Sequence, residues 1–283
     1  MKQLFSVFFI AFFFVACQKE TTTGNEALAE QKITDVSYGS DPAQRMDVYL
    51  PANRNTTDTK VFIMVHGGAW ESGDKIDFEE YIPIFKQRLP GYAIFNINYR
   101  LLVLPNTNPF PTQENDVKAA FNFISGKGDA YKFNPAKLAV LGASAGGHLA
   151  LLQAYKNATP KVKAIVDMFG PTDMTALYTA SNSFSQLGLT YLLSGTPTSN
   201  ATLYQSSSPL NYVTAQSPPT LILHGGNDPL VPIAQSTALK TKLETMGATV
   251  QMVIYPLEGH GWTGASLNDT YDKITAFLTT YNQ

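Results

Sequence analysis

The chain has 283 residues, of which 44% are hydrophobic and only 15% charged, with a formal net charge of −2. This length suits one large α/β domain or two small ones and supplies enough apolar residues for a sizeable core. The absence of any basic or acidic run offers no footing for nucleic acid, and a single cysteine excludes an intrachain disulfide.

The chain opens with the positive Met1-Lys2, followed by an apolar run over residues 4–15. That run has the length of a signal-peptide core and falls short of the roughly 20 residues of a spanning helix. Phe14-Val15-Ala16-Cys17 resembles the lipobox of bacterial lipoproteins. The resemblance implies a signal peptide over residues 1–16 and a lipid on Cys17. The protein would then sit in the bacterial cell envelope, lipid-anchored to the membrane and extracytoplasmic. An ordinary cleaved signal and an uncleaved anchor are the plainer alternatives. Residues 17–32, with Thr, Glu, Asn and Gly prominent, read as a flexible tether.

Residues 33–283 read as one domain. Residues 36–38 and 45–50 have strand character, and the alternation of Met46, Val48 and Leu50 with Arg45, Asp47 and Tyr49 predicts one wet face. Residues 61–65 are continuously apolar, as in a central parallel strand buried on both faces. A helix is predicted over 77–89, a strand over 92–99 and an amphipathic helix over 113–125. A strand over 138–141 runs into a helix over 145–157, and a strand follows at 162–168. Residues 175–217 interrupt the pattern and are too long for an ordinary connection, so they read as a small cap of short helices. Strands at 220–223 and 249–255 then alternate with helices at 233–246 and 267–281. The pattern implies a mostly parallel central sheet with helices on both faces, in which ligands bind at the carboxyl ends of the strands.

The chemistry centres on Gly142-Ala143-Ser144-Ala145-Gly146, a Gly-x-Ser-x-Gly nucleophile elbow between strand and helix. So tight a turn admits only small neighbours, and all four are small. A serine hydroxyl needs a base to act as nucleophile at neutral pH. With such an elbow the acid and then the base follow the serine in chain order. Of the four histidines, only His260 lies downstream of every strand-end acid. His66, His148 and His224 are read as structural, with His148 a packing residue one turn along the elbow helix. Asp228, directly after a buried strand, is favoured as the acid over Asp173 and over Glu258, which lies two residues from His260. Charge developing on the carbonyl oxygen calls for backbone N–H donors. Ala145 is expected to supply one, and Gly68 or Ala69, in the loop His66-Gly67-Gly68-Ala69-Trp70, the other.

These segments, with Tyr99-Arg100-Leu101, Asp116, His224-Gly225-Gly226-Asn227-Asp228 and Gly259-His260, resemble the α/β-hydrolase esterases in order and spacing. The resemblance is to the hormone-sensitive-lipase-like group and its bacterial carboxylesterase, acetyl-xylan and feruloyl esterase relatives, and it runs from about Val36 to the C-terminus. Ala69 departs from the group's third loop glycine but keeps a backbone N–H. Arg100 and Asp116 read as a structural pair.

The resemblance implies a serine hydrolase acting on short-chain acyl or carbohydrate-linked esters, with Ser144, Asp228 and His260 as catalytic residues; the histidines are isolated and no cluster has metal-ligand spacing, so no metal or organic cofactor is expected. Trp70 and Trp262, each following a site loop, are candidate pocket walls, with core packing an equal reading. An arylformamidase or a serine peptidase of the same fold is the enzymatic alternative, and a non-catalytic binding protein the alternative of another class.

Overall fold

The computed structural model describes residues 28–157 and 159–283, so the expected signal peptide, Cys17 and most of the tether lie outside the described residues. Among those residues one sheet holds β1 (Gln31–Ser37), β2 (Arg45–Leu50), β3 (Lys60–Val65), β4 (Tyr92–Ile97), β5 (Leu138–Ala143), β6 (Val162–Met168), β7 (Thr220–Gly225) and β8 (Val250–Tyr255). The strand order is β1-β2-β4-β3-β5-β6-β7-β8. The β1–β2 and β2–β4 pairings are antiparallel and the others parallel.

The continuous apolar runs are buried on both faces. Along β3, Val61, Ile63 and Val65 join a core with Phe121 and Ile124 of α2 (Thr112–Ser125), Leu149 and Leu152 of α4 (Ala145–Leu152) and Leu239 of α8 (Ala234–Thr245). Their neighbours Phe62 and Met64 face the other way, toward Phe85 of α1 (Ile82–Arg88) and Ile274 and Phe277 of α9 (Gly264–Tyr281). A short helix α3 (Gly128–Tyr131), which the apolar pattern is too brief to announce, precedes β5. The cap consists of α5 (Met174–Ala180), α6 (Ser183–Leu192), α7 (Ala201–Ser206) and a 3-10 turn at Pro209–Tyr212.

Several expectations are corrected. The tether gives way before Lys32, because Gln31 and Lys32 already pair with Leu50 and Tyr49. The wet face predicted for β2 is covered. Asp47 and Tyr49 are buried beneath the 3-10 segment Lys75–Tyr81, where Lys75 Nζ lies 3.0 Å from Asp47 and Glu79 accepts from the Tyr49 hydroxyl. The helix predicted over 77–89 is two elements, since Pro83 stands in the first turn of α1, where a missing N–H does no harm, and cannot lie inside a continuous helix. The helix after the elbow turns π-helical at Gln153–Asn157.

Arg100 and Asp116 do tie the end of β4 to α2. Arg100 Nε and its backbone N–H donate to Asp116 Oδ2 at 2.8 and 2.9 Å, while its second guanidinium nitrogen and Gln44 Nε2 donate to Oδ1 at 2.6 and 2.7 Å. Asp116→Ala leaves these donors facing a buried site. It is expected to lower the unfolding free energy by about 3 kcal/mol in urea titration, and a loss below about 1 kcal/mol would mark the pair as an ordinary surface contact.

Candidate active site

The elbow is built by close approach. A methyl group at Gly142 would stand 2.1 Å from Gly146 O, and one at Gly146 would stand 2.0 Å from Val65 O. With both positions bare, the first turn of α4 presses against the end of β3. Ser144 itself sits at φ 54°, ψ −121°, a strained conformation for a residue with a side chain. Its N–H donates to Met168 O of β6 at 2.8 Å.

Three residues from separate loops meet at this turn. His260 Nε2 lies 2.9 Å from Ser144 Oγ, and His260 Nδ1 lies 2.7 Å from Asp228 Oδ2. An ionised carboxylate only accepts, so Nδ1 carries the proton and Nε2 is left to accept from the serine hydroxyl. Asp228 Oδ1 accepts from the N–H groups of Leu230 and Val231 at 2.8 and 3.0 Å. Burial alone would raise this carboxyl. The donors converging on it, led by His224 and His260, outweigh that and hold it well below the usual carboxylate range. The rival acids are occupied elsewhere: Asp173 caps α5 through the Ala176 N–H, and Glu258 accepts from Ser266 Oγ.

The glycine loop lies beside the serine. Gly68, Ala69 and Trp70 line the same cavity as Ser144 and His260. Ala145 is the first residue of α4, where an N–H has no partner within the helix, and its side chain is buried. His66 stiffens the loop: its ring stacks on Tyr99 at 4.4 Å, its Nδ1 donates to Gly67 O, and Tyr99 Oη donates to His66 O.

The two tryptophans part company. Trp70 walls the cavity over Ser144, of about 520 Å³, with Leu104, Leu177, Phe184, Tyr191 and Leu230. Trp262 does not reach it. It lines a second cavity of about 220 Å³ on the α1–α9 side, where its indole N–H donates to Thr270 Oγ1 at 2.8 Å. The alcohol of Thr270 holds the ring in the core, and Phe169 stands between Trp262 and His260, with ring centroids 5.4 and 4.6 Å away.

Other contributors carry weaker sequence signals. Phe169 is one. His224 is another: it is fully buried, with Nε2 3.4 Å from Asp228 Oδ2 and 2.9 Å from Val231 O, and Nδ1 accepting from Ser236 Oγ. Its signals are its place four residues before the acid and its membership of the segment His224-Gly225-Gly226-Asn227-Asp228. The pocket walls of the cap carry no signal, because scattered apolar residues in short helices read as packing.

The BD-FAE family model matches residues 46–243. The chain belongs to the BD-FAE family. It is 29% identical over 260 residues to esterase LipC of Mycobacterium tuberculosis, covering 86% of this chain and 64% of that protein. It is 30% identical over 235 residues to the probable carboxylic ester hydrolase LipM of the same organism, covering 78% of this chain and 53% of that one. This chain therefore spans about half to two thirds of the length of these curated relatives. Among solved structures, a truncated form of a carbohydrate esterase from gut microbiota superposes with a TM-score of 0.75 at 26% identity, covering 91% of this chain and 99% of that chain. With the sheet order described above, this is the α/β-hydrolase fold.

One buried carboxyl stands apart from the Ser144–His260–Asp228 group. Asp167 of β6 is fully buried, with Oδ1 accepting from the Gly170 N–H and Oδ2 unpartnered. Burial pushes its carboxyl up to about 7, against smaller opposing pulls from His224 and the Gly170 N–H. The unfolded value is about 3.9, so between these values the native state keeps a proton that the unfolded chain has released. The group's contribution to stability is full below about pH 4 and is lost as pH rises through about 7. Asp167→Asn keeps the shape and removes the ionisation. Its Tm relative to wild type is expected to climb between about pH 4 and 7 and then level off; a difference flat with pH would contradict the buried acid.

Proposed function

We propose that this BD-FAE chain is a serine carboxylic ester hydrolase that works through an acyl-enzyme on Ser144. The observation that carries this reading is the continuous chain of hydrogen bonds from Ser144 Oγ through His260 to Asp228 Oδ2. In the mechanism, Ser144 Oγ attacks the ester carbonyl carbon while its proton passes to His260 Nε2. Asp228 holds the ring in the required tautomer and stabilises the imidazolium. Negative charge on the former carbonyl oxygen is met by the Ala145 N–H and by the N–H of Gly68 or Ala69. The intermediate collapses, the C–O bond breaks, and the departing alkoxide takes the proton from His260. Water then repeats the attack with His260 as base, and the carboxylic acid leaves Ser144.

The esterase relatives support the reaction class, and the carbohydrate esterase among the structural neighbours supports short-chain acyl or carbohydrate-linked esters as substrates. A cavity of about 520 Å³ has room for a small acyl group and part of its alcohol. The sequence Ala16-Cys17 supports a lipid-anchored enzyme facing outward in the bacterial envelope.

A fluorophosphonate is expected to label Ser144 and no other serine, as read by peptide mapping. Turnover of p-nitrophenyl acetate is expected to vanish in Ser144→Ala and to fall by about 10⁴ in kcat in Asp228→Asn, where the tautomer is lost. Turnover that survives Ser144→Ala rejects the reading. Radiolabelled palmitate in the full-length protein expressed in a bacterial host, and its loss in Cys17→Ala, tests the anchor separately.

A further inference from the structure

The oxyanion loop has positive φ at three consecutive residues. Gly68, Ala69 and Trp70 have φ of 106°, 52° and 62°. Positive φ costs little at glycine but is an outlier for a residue as bulky as tryptophan. Such strain persists only where the surroundings over-determine it. On the N-terminal side Gly68 O accepts from the N–H groups of Glu71 and Ser72, at 3.1 and 2.9 Å. On the other side Trp70 O accepts from the Leu102 N–H at 2.8 Å. These backbone bonds close the turn but do not tie it to the serine.

The side chain of Trp70 supplies that tie. Its indole Nε1–H donates to His148 Nδ1 at 3.1 Å, with the two rings edge-on at 5.2 Å. His148 is fully buried, one turn beyond Ser144 on the elbow helix, with its N–H donating to Ser144 O. Its other ring nitrogen, Nε2, stands 2.6 Å from Ser207 O at the end of α7. A carbonyl only accepts, so Nε2 carries the proton and Nδ1 is held as an acceptor for the indole. The Ser207 carbonyl thus fixes the tautomer that the Trp70 bond requires.

We infer that His148 is a positioning residue for the oxyanion hole, a strut that runs from the cap through the nucleophile helix and fixes the strained Gly68–Trp70 loop relative to Ser144. The inference rests on the ester-hydrolase reading above. It assigns a task to a histidine otherwise accounted for as packing, and it makes the cap part of the oxyanion machinery. His148 does not itself line the substrate cavity, so its loss reaches that cavity only through the loop that Trp70 anchors.

The test measures kcat and KM for p-nitrophenyl acetate in wild type, His148→Leu, His148→Asn, Trp70→Phe and the double variant His148→Leu/Trp70→Phe. Asn places an acceptor oxygen near the position of Nδ1, whereas Leu offers none. His148→Leu is expected to lose roughly 10- to 100-fold in kcat, a part of what removing an oxyanion donor costs, with KM within about twofold of wild type. His148→Asn is expected to recover most of that loss. Trp70→Phe, which keeps a ring but not the N–H, is expected to fall comparably, and the double variant no further than the worse single one. If His148→Leu does not fold, Trp70→Phe alone decides by its kcat. A kcat within about twofold of wild type in either single variant overturns the inference; so does additivity in the double variant, or a loss that Asn fails to recover. Wild-type protein without ester turnover overturns the hydrolase reading itself, whereas intact turnover in the variants overturns the strut alone.

Discussion

The contact on which the site depends is between the first turn of α4 and the end of β3. Gly146 brings its backbone so near to Val65 that a single methyl group would overlap the carbonyl, and Gly142 does the same within the elbow. That approach has two consequences at once. It lifts Ser144 out of the helix at φ 54°, and it sets the loop that follows β3 alongside the serine. Ser144 and the Gly68–Trp70 loop are neighbours because β3 and β5 are neighbours in the sheet, paired from Val61–Leu138 to Val65–Gly142. Register along two buried strands is therefore what places the reacting atoms.

Asp228 and His260 are placed by the same rule two and three strands beyond β5. Asp228 follows β7 and His260 follows β8, and these strands pair up to Gly225–Tyr255. Asp228 is locked before it meets His260, since one carboxylate oxygen is taken by two backbone N–H groups and the other faces His224 as well. A carboxylate satisfied in this way remains ionised although buried. It has a single orientation left to offer the imidazole. His260 is thereby fixed by a group that is itself fixed by the sheet.

Much of this was legible in the sequence, for identifiable reasons. A triad whose members each follow a strand can be read from chain order, because strand ends are where a parallel sheet presents its loops. The Arg100–Asp116 tie was legible as a complementary pair spanning a strand end and a helix. For Trp262 the sequence left pocket wall and core open, because proximity to the His260 loop says nothing of the direction of a side chain; the hydroxyl of Thr270, eight residues on, turns the indole into the core. The wet face of β2 was misread because alternation reports the polarity of side chains, not what covers them. Asp47 and Tyr49 found partners in Lys75 and Glu79, whose 3-10 segment folds over the strand. The share of the site built by the cap was illegible, because its walls are single residues from short helices that carry no periodicity long enough to orient.

Four of the nine non-glycine residues with positive φ among the described residues fall where these threads meet. Ala69 and Trp70 follow β3, Ser144 follows β5 and Phe169 follows β6, all with positive φ, and the three strands are adjacent in the sheet. Each such residue raises the free energy of the native state, by about 1–3 kcal/mol in other proteins, and would relax if its surroundings allowed. They are held because each is pinned by a bond to a neighbouring segment: Ser144 N–H to β6, Phe169 N–H to Leu223 of β7, Trp70 through its indole to α4. Strain spread over three adjacent loops cannot relax in one without moving the next. On the proposed ester-hydrolase reading, the donors around Ser144 are thus set before substrate arrives, and a site that has already met this cost need not reorganise as charge builds on the carbonyl oxygen.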